Sequence, residues 1–188
     1  RAPGSPHLFY GDLMNNKRTL LKLAAAITVM GAAGLPAHAQ AQEVVKIGLI
    51  LPMTGPFAST GRQIQAAARL YMAQNGSTVA GKKIELIVRD DASVADTTKR
   101  MAQELVVNDK VNVLAGFGLT PLALSTAPIA TQAKVPMVVM AAATAMITEQ
   151  SPYIVRTGFT LPQATLGIAQ WAPKNGIKKV VTLVSDYG

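Results

Sequence analysis

Three short segments are rich in small and hydroxyl-bearing residues and carry no charged side chain, namely residues 53–61, 116–120 and 140–144. Backbone amides and hydroxyl groups in such segments can approach a small ligand closely, and the N-terminus of a following helix favours its negative end. The alternative is that the glycines and threonines serve only turns and helix caps. The residue types therefore favour recognition of a small anionic group, with turn formation as the competing role.

Cysteine and histidine, which nucleophilic catalysis and zinc binding commonly use, are rare in the chain. It contains no cysteine and two histidines, His7 and His38, both before the predicted mature start. A Ser-His-Asp triad, a Cys-His pair and a histidine zinc site are therefore excluded within the predicted mature segment. Carboxylate chemistry through Asp90-Asp91 and Asp96 stays open, but their spacing does not match a calcium loop and favours strand-end and helix-start roles. We expect binding without catalysis, and no metal or cofactor.

The glycine spacings do not fit nucleotide-binding motifs. Five residues separate Gly55 from Gly61, where a P-loop has four, and Arg62 follows in place of Gly-Lys-Ser/Thr. Residues 116–121 begin like a dinucleotide fingerprint but end in proline, and no acidic residue follows until Glu149. The formal net charge of +8 is also spread out, without a continuous basic stripe, so nucleic-acid binding is not expected.

Residues 14–39 are typical of a cleavable export signal. A short basic segment is followed by an apolar run of thirteen residues, 23–35, and by the small residues Ala37 and Ala39. Thirteen residues are fewer than the ~20 that span a bilayer. We expect cleavage after Ala39 or Ala41 and a mature protein in the bacterial periplasm. Residues 1–13 are interpreted as an upstream extension outside the fold.

From Val44 onward, short apolar runs alternate with helical periodicity. Runs rich in β-branched residues predict strands at residues 44–51, 84–88, 111–115, 135–139 and 180–185. Apolar residues at helical spacing lie between these runs. This alternation predicts an α/β fold: a Rossmann-like parallel sheet with helices on both faces. Ligands of such sheets bind beyond the carboxyl ends of the strands, where the three small-residue segments are expected.

Several motifs together resemble the leucine/isoleucine/valine-binding proteins, type I periplasmic receptors of ABC importers. They are residues 47–61, 88–91, 113–116, 153–157 and 183–188. The resemblance covers residues 44–188, and the order of the motifs behind an export signal makes it specific. It implies two Rossmann-like lobes that close on a ligand by a hinge motion. It also implies that residues 40–156 belong to the first lobe and residues 157–188 begin a second lobe, most of which lies beyond Gly188.

The resemblance also implies a set of ligand-binding positions. In the family, backbone amides and hydroxyls bind the ligand carboxylate, and the second lobe supplies an acidic partner for the α-ammonium. The matching positions in this chain are Thr60, Thr120, Ala142, Thr144 and Tyr187. For Thr120 a helix cap, and for Ala142 tight packing, are the alternatives.

The chain departs from the amino-acid receptors of that family in two of the three segments. Residues 118–122 lack the usual serine run, and Met140-Ala141 replaces a Ser/Thr-Pro pair. Fewer hydroxyls and more apolar surface suit an aromatic acid as well as leucine, so the ligand stays open. The resemblance implies a monomeric receptor that delivers its ligand to an ABC permease. The alternatives are a ligand-sensing domain of a signalling protein, or a periplasmic enzyme with catalytic residues beyond Gly188.

Overall fold

The computed structural model describes residues 42–184. The predicted upstream extension, the export signal and Tyr187 lie outside the described residues. In chain order the elements are β1 (Val44–Leu51), α1 (Ala58–Asn75), β2 (Thr78–Val79), β3 (Lys82–Asp90), α2 (Ala95–Val107), β4 (Val113–Gly116), α3 (Thr120–Ala133), β5 (Met137–Val139), a 3-10 helix (Ala145–Glu149), β6 (Ile154–Arg156) and α4 (Leu161–Lys174).

Six strands form one sheet in the order β2-β3-β1-β4-β5-β6. Every neighbouring pair is parallel except the short β2–β3 pair. The register places Leu51 beside Asp90, and it places Gly116 and Arg156 on either side of Val139. The carboxyl ends of the five parallel strands therefore form one edge. The predicted parallel sheet is confirmed.

Alternate residues of the strands face two separate hydrophobic clusters. Ile50 and Leu114 are fully buried in the larger cluster, which also contains residues of α2 and α3. Leu49 and Leu51 belong to the smaller cluster, against which Ile64 of α1 packs. Because neighbouring residues of a strand point to opposite faces, helices cover both sides of the sheet, as predicted. Full burial of each of these aliphatic side chains contributes roughly 1.5–3 kcal/mol.

Three of the predicted strands, at residues 84–88, 111–115 and 135–139, are confirmed with shifted ends, whereas β2 and β6 were not predicted. The strand predicted at residues 180–185 is wrong for its described part. Residues 177–184 adopt no regular structure, and Leu183 is 99% exposed. A strand needs a neighbour to complete its backbone hydrogen bonds, and within residues 42–184 no strand pairs with this segment.

Helix α4 differs from the other helices in its surroundings. It begins with a capping box between Thr160 and Gln163, but it has no buried residue. Its large apolar side chains are half exposed, Trp171 at 52% among them. The contacts within residues 42–184 therefore leave the apolar surface of α4 largely uncovered. Within the same residues, no helix is both long enough and apolar enough to cross a membrane.

Candidate functional site

The loops after β1, β4 and β5 lie side by side at the carboxyl edge of the sheet. The amide of Phe117 donates to the Ile50 carbonyl at 3.0 Å, the amide of Met140 to the Gly116 carbonyl at 2.8 Å, and the amide of Ala142 to the Phe117 carbonyl at 2.9 Å. These bonds continue the sheet ladder beyond the strands. They hold the segments at residues 116–120 and 140–144 against each other.

The hydroxyl groups of Thr120 and Thr144 are in direct contact. Their Oγ1 atoms are 2.7 Å apart, although the two residues are 24 positions apart in sequence. Thr120 is the first residue of α3 and Thr144 precedes the 3-10 helix, but neither side chain caps its own helix. One hydroxyl of the pair donates to the other, so the second O–H remains to donate to a ligand oxygen. The structure thus brings together two of the predicted ligand-binding residues.

Arg156, at the end of β6, binds the backbone of the same pair. Its Nη2 donates to the carbonyl oxygen of Thr144. Its Nε is buried and has no hydrogen-bond partner among residues 42–184. The residue was not predicted as part of the site, because its contact depends on how β6 pairs with β5. Its position at a strand end beside a small-residue segment was the available signal.

The other predicted site residues are less directly involved. Ala142 is 3% exposed, and its amide is used within the fold, so a ligand could reach only its carbonyl or methyl group. Thr60 lies in the first turn of α1, where its amide donates to the Phe57 carbonyl at 3.0 Å. No hydrogen bond joins Thr60 to Thr120 or Thr144 within the described chain. The roles of Thr60 and Ala142 stay predictions.

Asp90 organises the first loop, a role that the sequence analysis missed. Its Oδ1 accepts hydrogen bonds from the amides of Met53 at 2.8 Å, Thr54 at 3.3 Å and Ala92 at 2.9 Å, and its Oδ2 accepts from the Thr54 hydroxyl at 2.8 Å. Burial opposes ionisation, but hydrogen bonds from Ala92, Thr54 and Met53 outweigh it and lower the pKa of Asp90. The carboxylate form of Asp90 therefore holds the start of the loop at residues 53–61.

Asp91 has the role that the sequence predicted for both aspartates. It is fully buried and accepts from the Ser93 amide at 2.9 Å and from the Thr98 hydroxyl at 3.0 Å. Burial raises the pKa of Asp91, although these two hydrogen bonds act in the opposite direction. The residue thus connects the end of β3 to α2 and does not face a ligand.

Glycines in these loops permit close packing of the backbone. A Cβ at Gly61 would overlap the carbonyl oxygen of Pro52, and one at Gly116 would overlap that of Ile50. Gly116 also has a φ of +113°, which side-chain-bearing residues rarely adopt. For these glycines the turn-and-packing role is the one that the structure supports.

No part of residues 42–184 brings together three or more His, Cys, Asp or Glu residues as a metal site would. Open recesses of about 420 and 370 Å³ lie between α1 and β3, away from the paired threonines, and share Met72, Ile84 and Leu86 in their walls. At the carboxyl edge, one O–H of the Thr120–Thr144 pair is left to donate to an anion.

Comparison with known proteins identifies the family of the chain. The family model described as periplasmic binding protein matches residues 44–188. The chain belongs to the periplasmic binding protein family. A curated member of the family, Leu/Ile/Val-binding protein homolog 6 of Brucella abortus, is 46% identical over 165 residues, which is 87% of this chain and 42% of the relative. The chain thus spans less than half the length of this curated relative.

Solved periplasmic binding proteins have the same fold. A solute-binding protein of an ABC transporter from Rhodopseudomonas palustris BisB5, in complex with 3,4-dihydroxybenzoic acid, is 66% identical with a TM-score of 0.71, and the match covers 72% of this chain and 37% of that one. A leucine-binding protein from Thermotoga maritima is 31% identical with a TM-score of 0.65, covering 70% and 37%. Both of these proteins are described as binding proteins.

Proposed function

We propose that this chain is part of a periplasmic receptor of an ABC importer, and that the receptor binds a small aromatic carboxylate of the hydroxybenzoate type. The observation that carries the proposal is the Thr120–Thr144 hydroxyl pair, 2.7 Å apart at the carboxyl edge of a parallel sheet. Hydroxyl donors at such an edge are placed to bind a carboxylate, and the adjacent Arg156 favours the same charge.

The residue types at this edge suit an aromatic acid. An aromatic acid needs donors at one end and apolar walls around the ring. The apolar Met140 in place of a hydroxyl residue supplies part of such a wall.

The relatives with bound ligands support the same choice. The 66% identical protein was solved with 3,4-dihydroxybenzoic acid, and a 44% identical one from R. palustris HaA2 was solved with p-hydroxybenzoic acid. The second candidate ligand is a branched-chain amino acid. It is favoured by the name of the 46% identical Leu/Ile/Val-binding protein homolog.

The lobe assignment and the cellular localisation are also part of the proposal. Residues 40–156 form part of the first lobe, and the second lobe begins at Thr157, immediately after the last strand of the sheet. Support comes from α4, which has no buried residue, whereas α2 and α3 contribute buried residues to one core. Export of the mature protein to the periplasm, contacts of the ligand with Thr60 and Tyr187, and delivery to an ABC permease complete the proposed role.

A binding experiment on the complete gene product tests the proposal. We expect 4-hydroxybenzoate or 3,4-dihydroxybenzoate to raise the unfolding temperature and to give a saturable calorimetric isotherm. A ligand present at 100 times its Kd adds ~2.7 kcal/mol of stability, which a thermal-shift assay detects. A response to leucine or isoleucine alone would assign the receptor to the second candidate. A response to neither class would refute carboxylate binding.

A further inference from the structure

Arg156 lies at the carboxyl edge of the sheet and forms no ion pair with any of residues 42–184. We infer that Arg156 positions Thr144 and makes the site select a carboxylate over a neutral group of the same shape. This inference rests on the proposed function, since it concerns how the same site recognises its ligand.

The positioning part of the inference follows from the hydrogen bonds. Arg156 is the last residue of β6 and lies beside Val139 in the sheet register. From there its Nη2 donates to the Thr144 carbonyl, and the Thr144 hydroxyl contacts that of Thr120. A guanidinium group is planar and holds its donors in a fixed arrangement. Arg156 therefore fixes the backbone that presents the paired hydroxyls.

The selective part follows from charge. Arg156 takes part in none of the ion pairs found between residues 42 and 184, which are Lys82–Glu43, Arg89–Asp109 and Arg100–Glu104. Asp90 at the same edge is four strand spacings away, about 19 Å, which exceeds the ~8 Å screening length at physiological salt. Within the described chain, the Arg156 guanidinium thus forms no ion pair with a carboxylate.

The buried Nε of Arg156 is the second, independent observation. It has no hydrogen-bond partner among the described residues, and such groups are uncommon because an unsatisfied buried donor lowers stability. A ligand carboxylate on the Thr120–Thr144 pair would contact the same residue, Thr144, whose carbonyl accepts from this guanidinium. The anion would therefore bring the missing charge close to Arg156, whereas a neutral amide would not.

The test compares a carboxylate with its amide on the complete gene product. Calorimetry measures the Kd of 4-hydroxybenzoate and 4-hydroxybenzamide for the wild type, Arg156→Gln and Arg156→Lys. If the wild type binds leucine instead, leucine and leucinamide are the pair. We expect Arg156→Gln to weaken binding of both ligands, through the displaced Thr144, but to weaken carboxylate binding about tenfold more than amide binding, a difference equivalent to ~1.4 kcal/mol. Arg156→Lys should keep most of the carboxylate preference because it keeps the charge.

Arg100→Gln is the matched control, because it removes the same charge from an exposed pair on α2. It should leave the ratio of the two Kd values unchanged. If Arg156→Gln leaves the ratio of the carboxylate and amide Kd values unchanged, the inference is overturned. If Arg156→Gln does not fold, loss of the preference in a folded Arg156→Lys variant would overturn it. A wild type that binds no carboxylate would instead refute the proposed function.

Discussion

Replacement of Thr144 by valine is the sharpest test of the candidate site. The substitution keeps the shape of the side chain but removes one hydroxyl of the pair that lies 2.7 Å from Thr120 Oγ1. In the arrangement in which Thr120 donates to Thr144, the Thr144 O–H is the donor to the ligand carboxylate, and valine removes it. Hydrogen bonds to charged groups contribute ~1.5–3 kcal/mol, so affinity should fall roughly ten- to a hundredfold.

Stability should change less than affinity. The bond from Arg156 uses the carbonyl oxygen of Thr144, which valine retains, so the backbone of the loop stays in place. The free energy of unfolding should fall by the contribution of one neutral, partly buried hydrogen bond, about 0.5–1.5 kcal/mol. Differential scanning calorimetry of the ligand-free protein separates this effect from the effect on binding.

The assay is isothermal titration of the complete gene product with the carboxylate that the wild type binds. Thr131→Val is the matched control, since the Thr131 hydroxyl lies on α3 and donates only to the Ala127 carbonyl at 2.7 Å. Thr98 is unsuitable as a control because it is fully buried and binds Asp91. The control should bind like the wild type.

Binding by Thr144→Val within twofold of the wild type would refute the assignment and make the threonine pair a structural contact. If the valine variant unfolds, Thr144→Ser gives the decisive measurement, because it restores the hydroxyl. A folded Thr144→Ser variant that binds roughly tenfold or more weakly than the wild type would contradict the reasoning equally.

Three further predictions concern Asp90, two glycines and cleavage of the export signal. Because the pKa of Asp90 is lowered on folding, its contribution to stability should be present above the unfolded pKa of about 3.9 and be lost as pH falls below it. Melting temperatures of Asp90→Asn should accordingly show less acid dependence between about pH 5 and 3 than those of the wild type, and equal slopes would contradict this. Gly61→Ala should lower stability by roughly 1–3 kcal/mol through backbone overlap, whereas Gly167→Ala on exposed α4 should raise it by roughly 0.5–1 kcal/mol; denaturant titration distinguishes them. N-terminal sequencing of a periplasmic extract should find Gln40 or Gln42 first, and a retained apolar run would disprove cleavage.

The sheet was predictable because its central strands carry a local signal. Apolar β-branched runs at β1, β3 and β4 indicate buried strands wherever they occur, and parallel pairing then aligns their carboxyl ends. This was enough to expect Thr120 and Thr144 at the same edge. The three-residue strand β6, with half-exposed Val155, is too short to produce a periodic pattern. The segment at 180–185 has that pattern but lacks a neighbouring strand in the described chain.

The contacts that define the site were not predictable from the sequence, because they depend on register between distant strands. Asp90 reaches the first loop only because it lies beside Leu51, and Arg156 reaches Thr144 only because it lies beside Val139. Sequence spacing does not determine either register. The residue types were visible, but the partner of each charged group became clear only in three dimensions.

The segment that leaves the sheet after β6 is bonded to the loop that carries Thr144. The amide of Thr157 donates to the Val139 carbonyl at 3.1 Å, and the amide of Leu161 donates to the Ala143 carbonyl at 2.9 Å. A ligand that binds Thr144 therefore acts on a loop that shares backbone bonds with this segment. Linkage between two sites is reciprocal in free energy. If one conformation of residues 157–161 strengthens ligand binding, the bound ligand stabilises that conformation by the same free energy.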